Sequence, residues 1–388
     1  MNSIELFAGA GGLAMGVAAS GFRHRAVIEW DRFACDTLRQ NQSSFLLDGS
    51  DPIEPTDART FDYSRLKDSI DLVAGGPPCQ PFSLGGKHKG HADSRDMFPE
   101  AIRAIRELRP RAFIFENVRG LARQSFFNYF QYIKLQLEFP EIEARHNEEW
   151  TGHLKRLESQ KTSGTSSGLQ YQVVSQVVNA ANYGVPQRRE RVVIVGFRAD
   201  LSVSWSFPVI THAEESLLYT QWVTGDYWAL HEVAKKDRPD LTARFRELIC
   251  KRVSDLEPSL MLSPWKTVRD AVIDLPEPEE SENPSIPNHR FQSGAKTYPG
   301  HTGSPIDEPA KTLKAGDHGV PGGENMVRSN NGAVRYFSVR ESARLQTFPD
   351  DFIFHGTWSE NMRQLGNAVP VELGRVVASS VAARLVAA

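Results

Sequence analysis

Cysteine is scarce in this chain, where Cys35, Cys79 and Cys250 are the three thiols among 388 residues. So few cysteines cannot build a disulfide framework, and their spacing matches no zinc knuckle. We therefore expect a reducing compartment and no bound metal. Any cysteine chemistry in this protein then depends on a lone thiol.

Long apolar runs are missing as well, and no stretch approaches the roughly 20 residues that span a bilayer. A strand-like segment begins at Ile4, which leaves no room for a signal peptide. We therefore expect no membrane contact and a cytoplasmic location. Charge of one sign is not in excess either, since the net charge is −3. That balance neither indicates nor excludes a nucleic-acid partner, because a local basic face is sufficient.

Strand-like and helix-like stretches alternate along the first part of the chain, up to about residue 200. This βαβα order predicts an α/β fold with a Rossmann-like, mostly parallel sheet and helices on both faces. The last two strands are predicted to form an antiparallel pair at one edge. In chain order, the predicted strands are Ile4–Phe7, Ala26–Ile28, Leu72–Ala74, Ala112–Phe115, Tyr171–Val178 and Arg191–Phe197.

Two segments depart from this alternation. The small polar residues 159–168 predict a mobile surface loop. From about residue 200 to 335 the alternation is lost, and the acidic, proline-rich residues 276–287 cannot form a regular element. We interpret this region as a separate, irregular domain. The helical spacing of Val371 to Ala388 then returns the chain to the first domain.

One cysteine stands where open α/β sheets place their chemistry. Pro77, Pro78 and Cys79 directly follow the apolar residues 71–76. Two adjacent prolines cannot donate ladder hydrogen bonds, so they end the strand and stiffen the turn before the sulfur. The motif indicates either a lone nucleophile or a buried cysteine in a proline turn, and taken alone it favours the second.

A glycine loop follows the first predicted strand, with Gly9, Gly11 and Gly12 after Phe7. Glycines there let a ligand approach the backbone at the start of a helix. Glu29 lies about 20 residues further on, at the end of the next strand, where it is placed for a pair of ribose hydroxyls. Any adenosine cofactor fits this pattern, including NAD and S-adenosylmethionine, and so does a tight turn without a ligand.

Charged side chains accompany two further strands. Glu116 lies at the end of its strand, on the same sheet edge as the cysteine, and suits an acid–base role or a capping role. Strand alternation sends Arg189 and Arg191 to one face, opposite Arg188 and Glu190. Two guanidiniums on one face can hold a carboxylate or the edge of a base, or else form a solvated cluster.

The segment after the cysteine, residues 82–91, combines glycines with lysines and histidines. Mobility with positive charge is expected of a lid that closes on nucleic acid, and many exposed loops share this composition. The segment therefore indicates a lid without identifying its ligand.

Taken in order, these motifs resemble the cytosine carbon-5 DNA methyltransferases of the bacterial restriction–modification type. The resemblance covers about residues 1–200 and 336–388, and the residues between them lie where that family keeps its variable target-recognition domain. No single motif is conclusive, but their common order is. The motifs are FAGAGG at residues 7–12, EWD at 29–31, GPPCQPFS at 76–83, DSR at 93–95, ENV at 116–118, QRRER at 187–191, RESARLQTFP at 340–349 and QLGNAVP at 364–370.

The resemblance implies an S-adenosylmethionine-binding catalytic domain of residues 1–199 and 336–388, and a DNA-reading domain of residues 200–335. The implied catalytic residues are Cys79, Glu116, Arg189 and Arg191. The implied cofactor contacts are Phe7, Gly9, Gly11, Leu13, Glu29, Trp30, Asp57, Pro77, Asn367 and Val369. The implied DNA contacts are Gln80, Ser83, Lys87, Lys89 and Arg95. Further cations expected at phosphates and base edges are Arg290, Lys296, Lys311, Lys314, Arg328 and Arg335.

The implied activity is methyl transfer from S-adenosylmethionine to carbon 5 of a flipped-out cytosine within a specific short duplex DNA sequence, through a covalent Cys79 adduct. We expect S-adenosylhomocysteine as product, no metal, and a monomer. A cognate restriction endonuclease acting on the same site without direct contact is the expected partner system. The alternatives are a tRNA cytosine-5 methyltransferase and a catalytically silent DNA-binding relative. An NAD-dependent oxidoreductase would leave the cysteine, the glutamate and the arginines without a common task.

Overall fold

The structure is a computed structural model that describes residues 1–45, 53, 55–66, 69–78, 96–164, 168–253, 262–280, 285–315 and 325–388, apart from the side chains of residues 245, 246 and 250. The chain folds into two compact units. The first comprises Met1–Val178, Glu190–Pro208 and Gly374–Ala388, and the second comprises Asn179–Arg189 and Val209–Leu373. Residues 336–373 thus fold with the second unit, whereas the division into catalytic and DNA-reading domains stays a prediction.

The first unit is built around a six-stranded sheet with the order β2-β1-β3-β4-β6-β5. Strands β1 to β4 run parallel, and β6 is antiparallel to β4. This confirms the predicted α/β class, with β5 as an edge strand next to β6. The strands are β1 (Asn2–Leu6), β2 (Arg23–Ile28), β3 (Leu72–Gly75), β4 (Ala112–Val118), β5 (Tyr171–Asn179) and β6 (Glu190–Arg198).

The α-helices in the described parts of the chain are α1 (Gly12–Ala19), α2 (Arg32–Gln40), α3 (Phe98–Leu108), α4 (Phe127–Glu138), α5 (Trp150–Ser163), α6 (Glu214–Tyr219), α7 (Asp226–Leu230), α8 (Ala243–Val253), α9 (Val268–Val272), α10 (Val339–Leu345), α11 (Trp358–Asn367) and α12 (Val371–Ala387). Short 3-10 helices cover Gln42–Phe45, Ala58–Thr60, Tyr63–Arg65, Arg119–Ala122, Gln124–Phe126, Ala180–Tyr183, Ala199–Leu201 and Lys235–Asp237, and a π-helix covers Thr220–Thr224. Among these elements, no helix is long and apolar enough to span a membrane.

The prediction of a surface loop over residues 159–168 is wrong for its first half. Residues 159–163 form the last turn of α5. The helix ends at Gly164, which adopts a left-handed conformation with φ of 64°. The polar, small side chains therefore lie on a solvent-facing helix end, where serine and threonine are tolerated because they need no packing partner.

Strand alternation divides the buried residues of the first unit between two faces of the sheet. Ile4, Leu6 and Val73 point into an apolar core that also contains Ile102 and Ile105 of α3. On strand β1, Ser3 and Glu5 alternate with Ile4 and Leu6 and point to the other face. There Ser3 Oγ contacts His24 Nδ1 at 3.0 Å, and His24 Nε2 contacts the carbonyl of Ala14 in α1 at 2.9 Å. Both faces are thus covered by helices, as a parallel sheet requires.

The second unit contains shorter strands. These are β7 (His212–Ala213), β8 (Ser263–Pro264), β9 (Ser304–Pro305), β10 (Met326–Arg328) and β11 (Val334–Tyr336). Strands β7 and β8 pair in parallel, and a three-stranded sheet has the order β11-β10-β9. The βα alternation of the first unit is therefore absent from this part of the described chain. A buried cluster around Tyr227, Trp228 and Trp265 forms its aromatic core.

Candidate active site

The predicted site residues of the first unit gather at one edge of its sheet. Because β1 to β4 are parallel, their carboxyl ends meet there. The glycine loop follows β1, Glu29 follows β2, Pro77 follows β3, and Glu116 lies near the end of β4. Open α/β sheets bind ligands at this edge.

The glycine loop combines a packed end with an open end. Gly11 has φ of +86°, and a Cβ there would lie 2.6 Å from the Phe45 ring, so only glycine fits. Gly9 has φ of +54°, and a Cβ there would meet no described atom within 4 Å. Phe7 also has a positive φ of 55°, which is uncommon for a bulky residue. Such strained backbone conformations are concentrated at functional sites. The backbone near Gly9 is therefore open to a ligand.

Glu29 ties this loop to the end of β2. Its Oε2 accepts from Gly9 N at 2.7 Å, and its Oε1 accepts from Trp30 N at 2.9 Å and from Asp31 N at 2.8 Å. The side chain is 7% exposed, and burial raises its pKa while these three backbone donors lower it. A carboxylate has about four lone-pair sites, so with three donors in place about one site remains for a ligand hydroxyl.

These residues fit an adenosine cofactor. Trp30 directly follows Glu29 in sequence and is 71% exposed. Phe7 is half-buried and packs against the apolar core. An exposed aromatic face suits a purine ring, and a buried carboxylate suits ribose hydroxyls. Leu13 is buried in α1, and its contact with the cofactor stays a prediction.

Asp57 lies in a segment that is anchored to the same edge. Thr56 N donates to the Glu29 carbonyl at 2.7 Å, and Arg103 Nη2 of α3 donates to the Ala58 carbonyl at 2.6 Å. The Asp57 carboxylate accepts from Arg59 Nη2 at 2.6 Å, and this contact lowers the pKa of Asp57. A contact from Asp57 to an adenine amino group stays a prediction. Arg103 has no counterpart in the sequence analysis, because the carbonyl of Ala58 to which it donates is 45 positions away in sequence.

Glu116 and Arg191 form a buried ion pair between β4 and β6. Arg191 Nε lies 2.6 Å from Glu116 Oε1, and the two residues are 9% and 8% exposed. Arg191 Nη1 also donates to the Glu190 carbonyl at 2.8 Å. Burial lowers the pKa of Arg191, and the neighbouring Glu116 raises it. Of the alternatives left open for these arginines, Arg191 thus holds a carboxylate, and its role in catalysis stays a prediction.

The neighbouring arginines follow the predicted alternation of burial. Arg188 is exposed and pairs with Glu214 at 2.9 Å, and Glu190 pairs with Arg119. Arg189 is fully buried within the second unit. Its guanidinium donates to three backbone carbonyls, those of Leu313, Gly366 and Ala368, at 3.1, 2.6 and 2.8 Å. These contacts make Arg189 an anchor of the 366–368 turn, and its supporting role in catalysis stays a prediction.

Two predicted cofactor residues lie on or beside that turn. Asn367 is the last residue of α11 and is exposed, and Val369 is buried just after it. Both belong to the second unit, whereas the glycine loop and Glu29 belong to the first. Six predicted residues lie outside the described parts of the chain, namely Cys79, Gln80, Ser83, Lys87, Lys89 and Arg95.

One cation expected to contact DNA is paired within the protein. Arg335 Nη1 and Nη2 donate to both carboxylate oxygens of Glu341 at 2.8 Å, and Arg335 Nε donates to Glu277 at 3.0 Å. This bidentate pair fixes β11 to α10, and a base or phosphate contact from Arg335 stays a prediction. In the described residues, no group of three or more His, Cys, Asp or Glu side chains is arranged to hold a metal ion.

Comparison with known proteins gives a consistent result. The family described as C-5 cytosine-specific DNA methylase matches residues 1–141 and 150–383. The type II methyltransferase M.PspPI of Psychrobacter is 32% identical over 387 residues, which cover 99% of this chain and 80% of that protein. The type II methyltransferase M.Eco47II of Escherichia coli is also 32% identical, over 97% of this chain and 78% of that protein.

Solved structures show the same fold. The Dnmt2 methyltransferase of S. pombe aligns with a TM-score of 0.54 and 16% identity, over 100% of this chain and 99% of that one. The methyltransferase EhMeth of Entamoeba histolytica aligns with a TM-score of 0.54 and 14% identity, over 99% and 98% of the two chains. These similarities span both compact units.

Proposed function

The chain belongs to the C-5 cytosine-specific DNA methylase family, and from that premise we propose that it methylates a cytosine swung out of one short duplex sequence, through a covalent bond to Cys79. It is a DNA cytosine-5 methyltransferase of the restriction–modification type. The observation that carries the finer proposal is the buried pair of Glu116 and Arg191 at the sheet edge where the strands end.

The family uses S-adenosylmethionine, which supplies an electrophilic methyl group when it is bound. In this chain, Glu29 would hold the ribose hydroxyls, and Phe7 and Trp30 would flank the adenine. Gly9 leaves room for the ligand beside the loop. Gly11, Leu13, Asp57, Pro77, Asn367 and Val369 complete the proposed set of cofactor contacts.

Cys79 begins the reaction on the base. Its thiolate attacks carbon 6 of the cytosine, and a carbon–sulfur bond forms while the electron pair of the 5,6 double bond moves into the ring. A free thiol has a pKa near ~8.5, so its surroundings must favour the thiolate. Attack places charge on the ring, and Glu116 absorbs it by holding a proton at ring nitrogen 3. Carbon 5 thereby becomes the nucleophile that accepts the methyl group.

Arg191 orients Glu116 for this task. Its Nε occupies Glu116 Oε1 and so fixes the direction of the carboxyl group in a buried setting. The guanidinium is also suited to the carbonyl oxygen at carbon 2 of the base. Release follows when carbon 5 loses its proton to a base. The electron pair of that bond restores the 5,6 double bond, and Cys79 leaves as a thiolate.

Recognition of the sequence is assigned to residues 200–335 and to the segment after Cys79. The DNA contacts proposed there are Gln80, Ser83, Lys87, Lys89 and Arg95, with further phosphate contacts from exposed lysines such as Lys296. A single chain is sufficient for all these roles, so we propose a monomer. A cognate endonuclease would act on the same site independently.

The test is bisulfite sequencing of plasmid DNA from cells that express the chain, beside Cys79→Ala and Cys35→Ala. We expect methylated cytosines confined to one short motif, present with Cys35→Ala and absent with Cys79→Ala. Cys35 is the matched control because it is fully buried, and burial raises the pKa of its thiol to about 12, which disfavours the thiolate. Methylation by Cys79→Ala would overturn the nucleophile, and an unmethylated plasmid with soluble protein and methylated RNA would overturn the DNA substrate.

A further inference from the structure

Two prolines end β3, and both of their carbonyls are held by described residues. Pro77 O accepts from Asn117 Nδ2 at 2.8 Å, and Pro78 O accepts from the backbone N of Met97 at 3.0 Å. Proline has no backbone N–H, so the carbonyl is its only backbone hydrogen-bonding group. Both proline carbonyls thus hold the described part of the turn that follows β3.

The Asn117 side chain is itself fixed in orientation. It is 5% exposed, and its Oδ1 accepts from Val118 N at 2.9 Å. With the oxygen occupied by an N–H donor, the amide nitrogen must be the end that meets the Pro77 carbonyl. The backbone of Asn117 pairs with Val192 of β6, so the amide is carried by a central strand of the sheet.

We propose that Asn117 is a positioning residue for the reaction, and that its amide fixes the Pro77–Pro78 turn against the strand end that carries Glu116. Asn117 follows Glu116 directly, and Pro78 precedes Cys79 by a single peptide bond. The hydrogen bond from Asn117 thus fixes Pro77, two residues before the cysteine, relative to the strand end that carries the glutamate. The inference rests on the proposed roles of Cys79 and Glu116.

The geometry also explains why an amide is required at this position. An aspartate has the same shape, but when ionised it has no donor and places a negative oxygen against the Pro77 carbonyl. When protonated, it regains an O–H that can donate to that carbonyl. An alanine removes the donor altogether and leaves a buried carbonyl without its partner. The two variants therefore test the same contact in different ways.

The experiment compares Asn117→Asp and Asn117→Ala with Asn41→Asp in the full-length protein. Asn41 is a buried asparagine of the first unit at the end of α2, and its Nδ2 donates to the Thr37 carbonyl at 2.7 Å. A displacement of about 1 Å in a reacting group can lower a rate about hundredfold. We expect kcat to fall about 10- to 100-fold in both Asn117 variants. KM for S-adenosylmethionine should rise by a much smaller factor than kcat falls, because Pro77 is only one of the proposed cofactor contacts.

Two further readouts separate positioning from a loss of folding. Capture of the enzyme on duplex DNA that contains 5-fluorocytosine reports bond formation to Cys79, and its rate should fall in parallel with kcat. The activity of Asn117→Asp relative to the unmodified enzyme should rise as the pH is lowered, because protonation restores the donor. Asn41→Asp should alter thermal stability without lowering the capture rate.

An unchanged kcat and capture rate in folded Asn117→Ala would overturn this inference while leaving the proposed function intact. A rise in KM for S-adenosylmethionine as large as the loss of kcat would also overturn it, because it would indicate collapse of the whole cofactor pocket. If Asn117→Asp does not fold, Asn117→Ala decides the outcome. Failure of the unmodified enzyme to be captured on 5-fluorocytosine DNA would instead refute the proposed function itself.

Discussion

The buried pair of Glu116 and Arg191 makes a sharp prediction because its contributions to stability and to catalysis can be separated. The Arg191 Nε to Glu116 Oε1 distance is 2.6 Å, and both residues are more than nine-tenths buried. Removing one partner leaves an uncompensated buried charge, which typically costs about 3–5 kcal/mol. Replacing both partners by neutral side chains of similar size is often close to neutral.

Arg191→Met should therefore lower the free energy of unfolding by about 3–5 kcal/mol, and Arg191→Met combined with Glu116→Gln should recover most of that loss. Methyl transfer should fall by at least about a hundredfold in all variants, because the acid and its orienting guanidinium are both needed. Stability would be measured by urea unfolding and activity by transfer of labelled methyl groups to plasmid DNA.

The neighbouring exposed pair of Arg119 and Glu190 provides the control, since its side chains are 65% and 42% exposed. Arg119→Met should change the free energy of unfolding by less than about 1 kcal/mol. If Arg191→Met were no less stable than Arg119→Met, the reasoning from burial would be refuted. If the double variant recovered its activity together with its stability, the catalytic assignment would fail instead.

Three further perturbations address the rest of the first unit. Glu29→Gln should lower the free energy of unfolding by about 1–3 kcal/mol and raise KM for S-adenosylmethionine, because the new amide nitrogen places a donor against a backbone N–H such as that of Gly9. Urea unfolding would measure the first effect and cofactor titration the second. Burial lowers the pKa of His24 from 6.5 to about 4. Between pH 6.5 and pH 4, His24 is therefore protonated in the unfolded chain and neutral in the folded chain. The free energy of unfolding should consequently fall by about 3 kcal/mol as the pH drops from 6.5 to 4, and His24→Gln should lose this pH dependence in urea unfolding. Gly75→Ala should abolish the soluble folded protein, as judged by circular dichroism, because its Cβ would lie 2.4 Å from the Leu6 carbonyl oxygen.

The parts of the site that sequence reasoning anticipated are those defined by short stretches of chain. The apolar runs before Pro77 and before Glu116 form strands β3 and β4 as expected, because apolar runs of strand length can be recognised from the local sequence. Arg191 is buried and Arg188 is exposed, in agreement with the predicted alternation, although Arg188 lies before the start of β6 at Glu190. Strand β1 ends at Leu6, one residue before the prediction, because Phe7 adopts a positive φ at the turn.

Contacts between distant residues could not be anticipated in this way. Arg103 reaches a carbonyl 45 positions away, and Arg189 reaches carbonyls more than 120 positions away. A charge in a sequence gives no indication of whether its partner will be DNA or another side chain, and Arg335 shows the consequence, since Glu341 satisfies it. The end of α5 was missed for a related reason, because serine and threonine at a solvent-facing helix end resemble a loop in composition.

The two buried carboxylates at the sheet edge are neutralised in different ways, and the difference matches their proposed tasks. Glu29 is surrounded by three backbone N–H groups, which are fixed dipoles and cannot move with a ligand, so it is suited to permanent recognition of hydroxyls. Glu116 is neutralised by a side chain, and only its Oε1 meets Arg191 Nε in that pair. Its Oε2 faces Gly76, where even a methyl group would come within 3.5 Å. A carboxyl group oriented by a guanidinium can hold a proton at a defined point, which a group locked by backbone donors on both oxygens cannot do as readily.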